Sequence, residues 1–398
     1  MKNKIFSLTV IIFLIYKQAI GAVSGINYPG YSAKQYALYT DLKDGSYLLY
    51  NSNSIVYKDK IECSGQDSNL DYKSILDYKN EIALGFKKNN IFAFIAYYKP
   101  FDMSDAKYDN GMPGYLAISN TYIKSITGLD KYFTKSEVQG GWQNAYGIVG
   151  GISYKISAPL SAFAGLRYIY ARQTSEIKSF DIFGGNDRLY VDLEADGYSY
   201  LAGVNWKASK TLDIGIGYES NMKFEYYYNQ LIDPRPKELK FVDHVKRQDI
   251  PAKIATGLKY KLFDDINIEA ALTYYFYKDA YLLGVNNEDY NNFSNTYSIS
   301  TLLNWHLKAL DINLGLDYFK SPSSDEMLLD YSHILDKYTC MFGVHLPITP
   351  SLSINTNLFY TIFVPESTVH EFYKGYPVAE SFDSQMTKLS FGFIWKIL

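Results

Sequence analysis

The residues best able to hold a metal or act as nucleophiles are few in this 398-residue chain, which has five histidines and two cysteines. His244, His306, His333, His345 and His370 show no i,i+4 spacing of the kind that places two imidazoles on one helix face. None has a cysteine beside it, so no metal site is expected. Cys63 and Cys340 stand far apart in sequence and are expected to remain unpaired, because a disulfide needs Cα atoms within about 7 Å. The chain contains no Gly-rich phosphate loop and no G-x-S-x-G elbow. The expectation is therefore no enzyme, no catalytic residue, no metal and no cofactor. Any chemistry must come from charge and apolar surface, and where these sit depends on the elements that carry them.

Those elements have a period of two. In Leu310–Tyr318, Leu310, Ile312, Leu314, Leu316 and Tyr318 alternate with Asp311, Asn313, Gly315 and Asp317. Successive side chains of a strand point to opposite faces, so this segment has one apolar and one polar face. Leu212–Tyr218, Ile266–Phe276 and Lys388–Ile397 repeat the pattern. Composition agrees, with 47% apolar residues and 17% aromatics, which excludes disorder. The net charge of −3 argues against a nucleic-acid partner.

Connections alternate in length. Short ones fall at Asn89-Asn90, Ala158-Pro159, Ser209-Lys210, Asp264-Asp265, Lys308-Ala309 and Thr349-Pro350, many with turn-forming residues. Long ones are expected near 63–77, 100–139, 177–188, 226–250, 279–294, 321–335 and 365–384. Fourteen strands fit between them, the first at Ser54–Glu62. Short turns at one end and long loops at the other, with an even strand count, describe an all-β, 14-stranded antiparallel transmembrane β-barrel. Tyr168, Tyr170, Tyr218, Tyr274, Tyr318 and Tyr360 suit its interfacial girdles. A soluble sandwich also alternates, but its strands are usually shorter.

Three regions follow. Residues 1–21 read as a signal peptide: Lys2 and Lys4, an apolar run from Ile5 to Tyr16, then small residues before Ala22. Export with a barrel implies the bacterial outer membrane. Residues 22–53 precede the first strand and hold Tyr31, Tyr36, Tyr39, Tyr47, Tyr50 and Asn51. So many tyrosines are costly to leave in water, so this segment is expected to fold into the lumen as a plug, or hatch. Residues 54–398 form the barrel.

Inward parity picks out Arg167 in Leu160–Ala171, and Lys253 and Lys259 in Pro251–Tyr260. A guanidinium pairs bidentately with a carboxylate, so Arg167 suits an acidic ligand. The alternative is lumenal charge paired with Asp213, Glu269 or Asp311. Residues 100–139 gather Phe101, Met103, Met112, Leu116 and Ile123 in one long loop. Such a patch either captures an apolar ligand or packs on itself.

Several passages resemble the outer-membrane long-chain fatty acid transporter family (FadL-type), which includes channels for aromatic hydrocarbons. Asp44-Gly45-Ser46-Tyr47-Leu48-Leu49-Tyr50-Asn51 is similar to the end of the family's hatch, with Ser52-Asn53 in place of its Pro-Ala. Leu212–Ser220, Asp249-Ile250-Pro251-Ala252 with Gly257-Leu258-Lys259-Tyr260, and Gly315-Leu316-Asp317-Tyr318 with Ser321-Pro322 resemble its strand motifs in order. The resemblance implies passive uptake of a long-chain fatty acid or other hydrophobic small molecule by a monomer in outer-membrane lipid. It also implies capture at the loops, a lumenal pocket where Arg167, Lys253 and Lys259 meet a carboxylate, and release past a hatch or through a lateral gap, for which Pro100 is a candidate strand break. A general diffusion porin and a surface adhesin or structural barrel are the alternatives.

Overall fold

Every strand carries unpaired N–H and C=O groups along both edges, and in this chain the sheet satisfies them by closing on itself. The structure, a computed structural model, describes residues 43–63, 70–98, 106–108, 120, 124, 128, 133–232, 246–247, 249–280, 294–322, 335–373 and 376–397. The strands are β1 (Gly45–Cys63), β2 (Leu70–Lys88), β3 (Ile91–Tyr98, resumed at Ala106–Tyr108), β4 (Phe133–Lys155) and β5 (Leu160–Asp181). They continue as β6 (Asn186–Lys207), β7 (Leu212–Glu219, resumed at Glu225–Ile232), β8 (Lys246–Arg247 and Lys253–Lys261) and β9 (Ile266–Tyr275). The last five are β10 (Thr296–His306), β11 (Asp311–Phe319), β12 (Lys337–Thr349), β13 (Leu352–Phe363, resumed at Glu366–Tyr373) and β14 (Tyr376–Lys396). Both pieces of each interrupted strand pair with the same neighbour, so each counts once around the wall. Each strand is antiparallel to the next, and β1 pairs with both β2 and β14, with Tyr50 opposite Ile82 on one side and Phe393 on the other. The result is a closed 14-stranded antiparallel barrel.

Parity sets the two surfaces. Leu166, Leu314, Leu316, Phe342 and Leu358 point outward and are exposed, while Ser300, Asn313, His345 and Asn357 point inward and are buried. An exposed apolar belt around a closed sheet is the surface of a membrane-spanning barrel. Two aromatic girdles bound it. Toward the long-loop end, outward tyrosines contact one another across strands: Tyr146 and Tyr170 at 5.2 Å, Tyr168 and Tyr198 at 4.8 Å, Tyr318 and Tyr338 at 4.9 Å. Toward the short-turn end, Trp206, Trp305 and Trp395 face outward. Directly above the tyrosines the outward face of β5 and β6 turns charged, with Arg172 bound to Asp192 at 2.6 Å and Arg188 to Glu176 at 2.5 Å. Those segments therefore stand in water.

The strand boundaries depart from the sequence reading at the first strand and within several of the long connections. The barrel begins at Gly45 rather than Ser54, so Tyr47, Tyr50 and Asn51 belong to β1 and not to a plug. Tyr47 and Leu49 face inward while Leu48 and Tyr50 face outward, and apolar residues on both faces hide the period. Much of 177–188 and 365–384, and parts of 63–77, 100–139 and 226–250, are strand rather than loop. Above the membrane both faces meet polar surroundings, so the ladder continues where alternation stops. The signal segment 1–21, Tyr31, Tyr36, Tyr39, Pro100 and the loop residues Phe101, Met103, Met112, Leu116 and Ile123 lie outside the described residues. Cys340 is a free thiol facing outward on β12.

The long-loop end of β11 is fastened by Asp336. Burial pushes its carboxyl up, but the Ser321 N–H at 2.6 Å, the Lys320 ammonium at 3.0 Å and the Tyr318 hydroxyl at 2.9 Å donate to it and hold it below the usual carboxylate range.

Two predictions follow from this geometry. Leu314→Lys puts a charge on the lipid face and costs about 2–4 kcal/mol in urea unfolding from lipid vesicles, whereas Ala309→Lys in a turn stays within about 0.5 kcal/mol. Because the folded Asp336 has a depressed pKa, its contribution is complete above the unfolded value near 3.9 and is lost as pH falls through the folded value. Hydrogen-exchange protection of the Ser321 amide should therefore drop on acidification below about pH 4, and Asp336→Asn should remove that dependence.

Candidate functional site

The lumen has two unlike walls. On β9–β13 most buried inward positions are polar, including Thr273, Ser298, Ser300, Asn304, Asn313, Asn355 and Asn357, with Tyr275, Leu302 and Phe359 among them. On β14 and β1–β6 an inward apolar cluster of Tyr47, Leu49, Ala83, Phe92, Ala96, Tyr98, Val149, Phe163, Leu201 and Ile394, with Phe94 packed against it, stands beside buried polar residues such as Asn51, Glu81, Lys87 and Asn205.

Glycines decide how the aromatic rings of that cluster lie. A Cβ on Gly85 would fall 2.5 Å from Phe92 Cζ, one on Gly147 would fall 2.5 Å from Tyr98 Cζ, and one on Gly203 would fall 2.4 Å from Phe163 Cε1. Each ring therefore lies on the neighbouring strand in the space a side chain would take, and lines the wall instead of crossing the lumen.

A second apolar patch lies toward the long-loop end. It joins Ile169 and Ala171 of β5, Leu193 and Ala195 of β6, and Met222 and Phe224 in the break of β7. Regular alternation from Glu219 would point Met222 and Phe224 outward. Instead the Ser220 N–H donates to Tyr200 O at 3.0 Å, whereas Met222 exchanges two 3.0 Å backbone bonds with Ile250 on the opposite side. Two residues two apart normally bond the same neighbour, so the chain bulges and its parity reverses here. Asp249 fastens the bulge, accepting from the Phe224 N–H and the Asn221 amide, each at 3.3 Å. Gly197 admits it, since a Cβ there would fall 2.6 Å from Lys223 O.

Between the two patches sits an ion cluster. Arg167 binds Glu219 Oε1 through Nη2 and donates from Nε to Ser199 Oγ at 3.1 Å. Lys253 Nζ lies 3.1 Å from Glu219 Oε2. Register explains the meeting: Arg167 pairs with Ser199, Leu201 with Glu219, and Glu219 with Lys253. Of the three cations expected to share a site, the structure brings Arg167 and Lys253 together. Lys259 lies six residues further along β8, roughly 20 Å away at 3.3 Å per residue, and sits 3.6 Å from Glu269. The sequence reading missed Glu219, Tyr98 and Ser199, although Glu219 continues the inward row of Asp213, Gly215 and Gly217. Among the described residues no group of three or more His, Cys, Asp or Glu could hold a metal ion.

No protein-family model matches the sequence, and no curated protein matches it either. Solved structures do match. A Pseudomonas aeruginosa FadL homologue superimposes with a TM-score of 0.67 at 14% identity, covering 94% of this chain and 96% of that one. The fold is that of the FadL-type channels. The P. putida toluene transporter TodX gives a TM-score of 0.62 at 9% identity over 91% of this chain and 93% of its own. The Ralstonia pickettii toluene transporter TbuX gives 0.57 at 9% identity over 90% and 91%. Within this FadL-type fold the two-walled lumen, the reversed parity at Met222 and the Glu219 cluster are features read from this chain's own residues.

Gly203→Ala should cost about 1–3 kcal/mol in urea unfolding, because the new methyl also meets the backbone oxygen of Ile216 at 2.5 Å. Gly147→Ala should cost less, since there only the Tyr98 ring must move.

Proposed function

We propose that the protein is an outer-membrane channel for passive uptake of hydrophobic small molecules, the class that includes long-chain fatty acids and aromatic hydrocarbons. The observation that carries this reading is the pair of inward apolar clusters, from Tyr47 and Phe92 up to Met222 and Phe224, inside a barrel whose opposite wall is mostly polar. A pore for small ions gains nothing from a wall of Phe, Tyr and Leu. A greasy solute crossing between an aqueous exterior and the bilayer gains a surface on which to leave water. The fold shared with a FadL homologue and with toluene transporters supports the same reading.

In this proposal Phe101, Met103, Met112, Leu116 and Ile123 capture the solute at the long-loop end, and the segment preceding β1, with Tyr31, Tyr36 and Tyr39, serves as the hatch. Arg167 and Lys253 mark the midpoint of the path. No bond is broken and no cofactor takes part, so the concentration gradient drives the flow.

Cells carrying the protein in the outer membrane should take up labelled toluene or labelled oleate saturably, above cells without it. Uptake of neither, with the barrel shown folded by its heat-dependent gel mobility, would sink the proposal. Deleting residues 22–42 should raise ionic conductance in planar bilayers, whereas an open diffusion porin would conduct equally with and without them.

A further inference from the structure

Each oxygen of Glu219 is already bound to a cation: Oε1 to Arg167 and Oε2 to Lys253, the latter at 3.1 Å. The side chains of Arg167, Glu219 and Lys253 are only 14%, 8% and 16% exposed. The two cations that a ligand carboxylate would seek therefore hold one already. A second carboxylate arriving here would lie within a few ångströms of Glu219, and like charges repel at that distance as strongly as opposite ones attract. Displacing Glu219 would strand its buried charge while its partners turned to the ligand. The walls on either side are apolar, with Ile169, Met222 and Phe224 toward the long loops and Phe163 and Leu201 toward the short turns, while Tyr98 stands beside the cluster itself. An uncharged solute can pass from one patch to the other and leave the ion cluster intact.

We infer that Glu219 is a specificity-determining residue that sets the lumen against carboxylates and in favour of uncharged hydrophobic solutes. The inference rests on the channel reading above and narrows its substrate class. Glu219 acts as a built-in occupant of the anion site: it cancels one of the two positive charges and uses both their short contacts. Ser199 takes a further guanidinium donor, which fixes the plane of Arg167 and leaves that fork less able to turn toward an incoming acid.

The test compares two ligands that differ only in their head, palmitate and 1-hexadecanol, by equilibrium retention on the purified full-length protein in detergent at pH 8. The native protein should retain the alcohol at least tenfold more tightly than the acid. Glu219→Gln keeps the shape, removes the charge, and should narrow that ratio at least tenfold by strengthening palmitate binding. Adding Lys253→Met to Glu219→Gln restores the native net charge of the cluster and should return the ratio toward its native value, which a purely structural role for Glu219 would not do. Palmitate bound as tightly as the alcohol by the native protein overturns the inference and leaves the channel reading standing, and this arm needs no variant to fold. An unchanged ratio in folded Glu219→Gln overturns it as well. Retention of neither ligand by folded native protein overturns the channel reading and this inference with it.

Discussion

A backbone amide in hydrocarbon has no water to bond, so a sheet can cross a membrane only if it has no free edge. Everything else in this protein depends on that constraint. Pairing of β1 with β14 closes the wall, from Tyr47 opposite Lys396 to Cys63 opposite Glu380. Once the wall is closed, a period of two has a fixed meaning: one side chain meets lipid and the next meets the lumen. The outward set is constrained within the membrane and is predominantly apolar, with small hydroxyl residues such as Thr301 and Thr356 interspersed. The inward set is free to vary, and function can be written only there.

The inward set is divided between two chemistries. Polar residues predominate on the wall from β9 to β13, and the larger aromatic and aliphatic cluster lies on β14 and β1 to β6 among buried polar residues such as Asn51 and Glu81. A uniformly polar lumen would exclude greasy solutes, and a uniformly apolar one would leave no place for charge. The glycine-backed rings of Phe92, Tyr98 and Phe163 make the apolar side aromatic without filling the lumen. The Arg167–Glu219–Lys253 cluster interrupts this side at one level, where two cations from neighbouring strands share one carboxylate.

Most of the wall was legible because alternation is strongest where lipid faces one side. Leu212–Tyr218 and Leu310–Tyr318 declare their faces unaided, and the tyrosines assigned to the girdle, Tyr168, Tyr218 and Tyr318 among them, stand there. Legibility failed where that asymmetry fails. Tyr47 to Tyr50 are apolar on both faces, so the first strand passed for plug. The upper parts of β5 and β6 carry charged residues, Arg172, Glu176, Arg188 and Asp192, where the membrane-embedded parts are apolar, so strand passed for loop. At Ser220–Phe224 the failure is of another kind. A bulge reverses the parity, and a rule that counts by twos places Met222 and Phe224 on the wrong surface. The inward positions of Arg167, Lys253 and Lys259 were correct, but which of them meet depends on the register of β5 to β9, which no single strand encodes. Glu219 lies on the same inward row as Asp213, the partner the sequence suggested, three inward positions further along β7.

In the proposed channel a hydrophobic solute travels along the apolar clusters of the lumen. The most direct measurement is anomalous diffraction from crystals of the native protein soaked in iodobenzene, which marks the solute by its iodine. Peaks inside the barrel between Phe92 and Phe224, against β3 to β7, are predicted. Peaks confined to the Asn- and Ser-lined wall of β9 to β13, or to the outer surface with the lumen empty, would contradict the account.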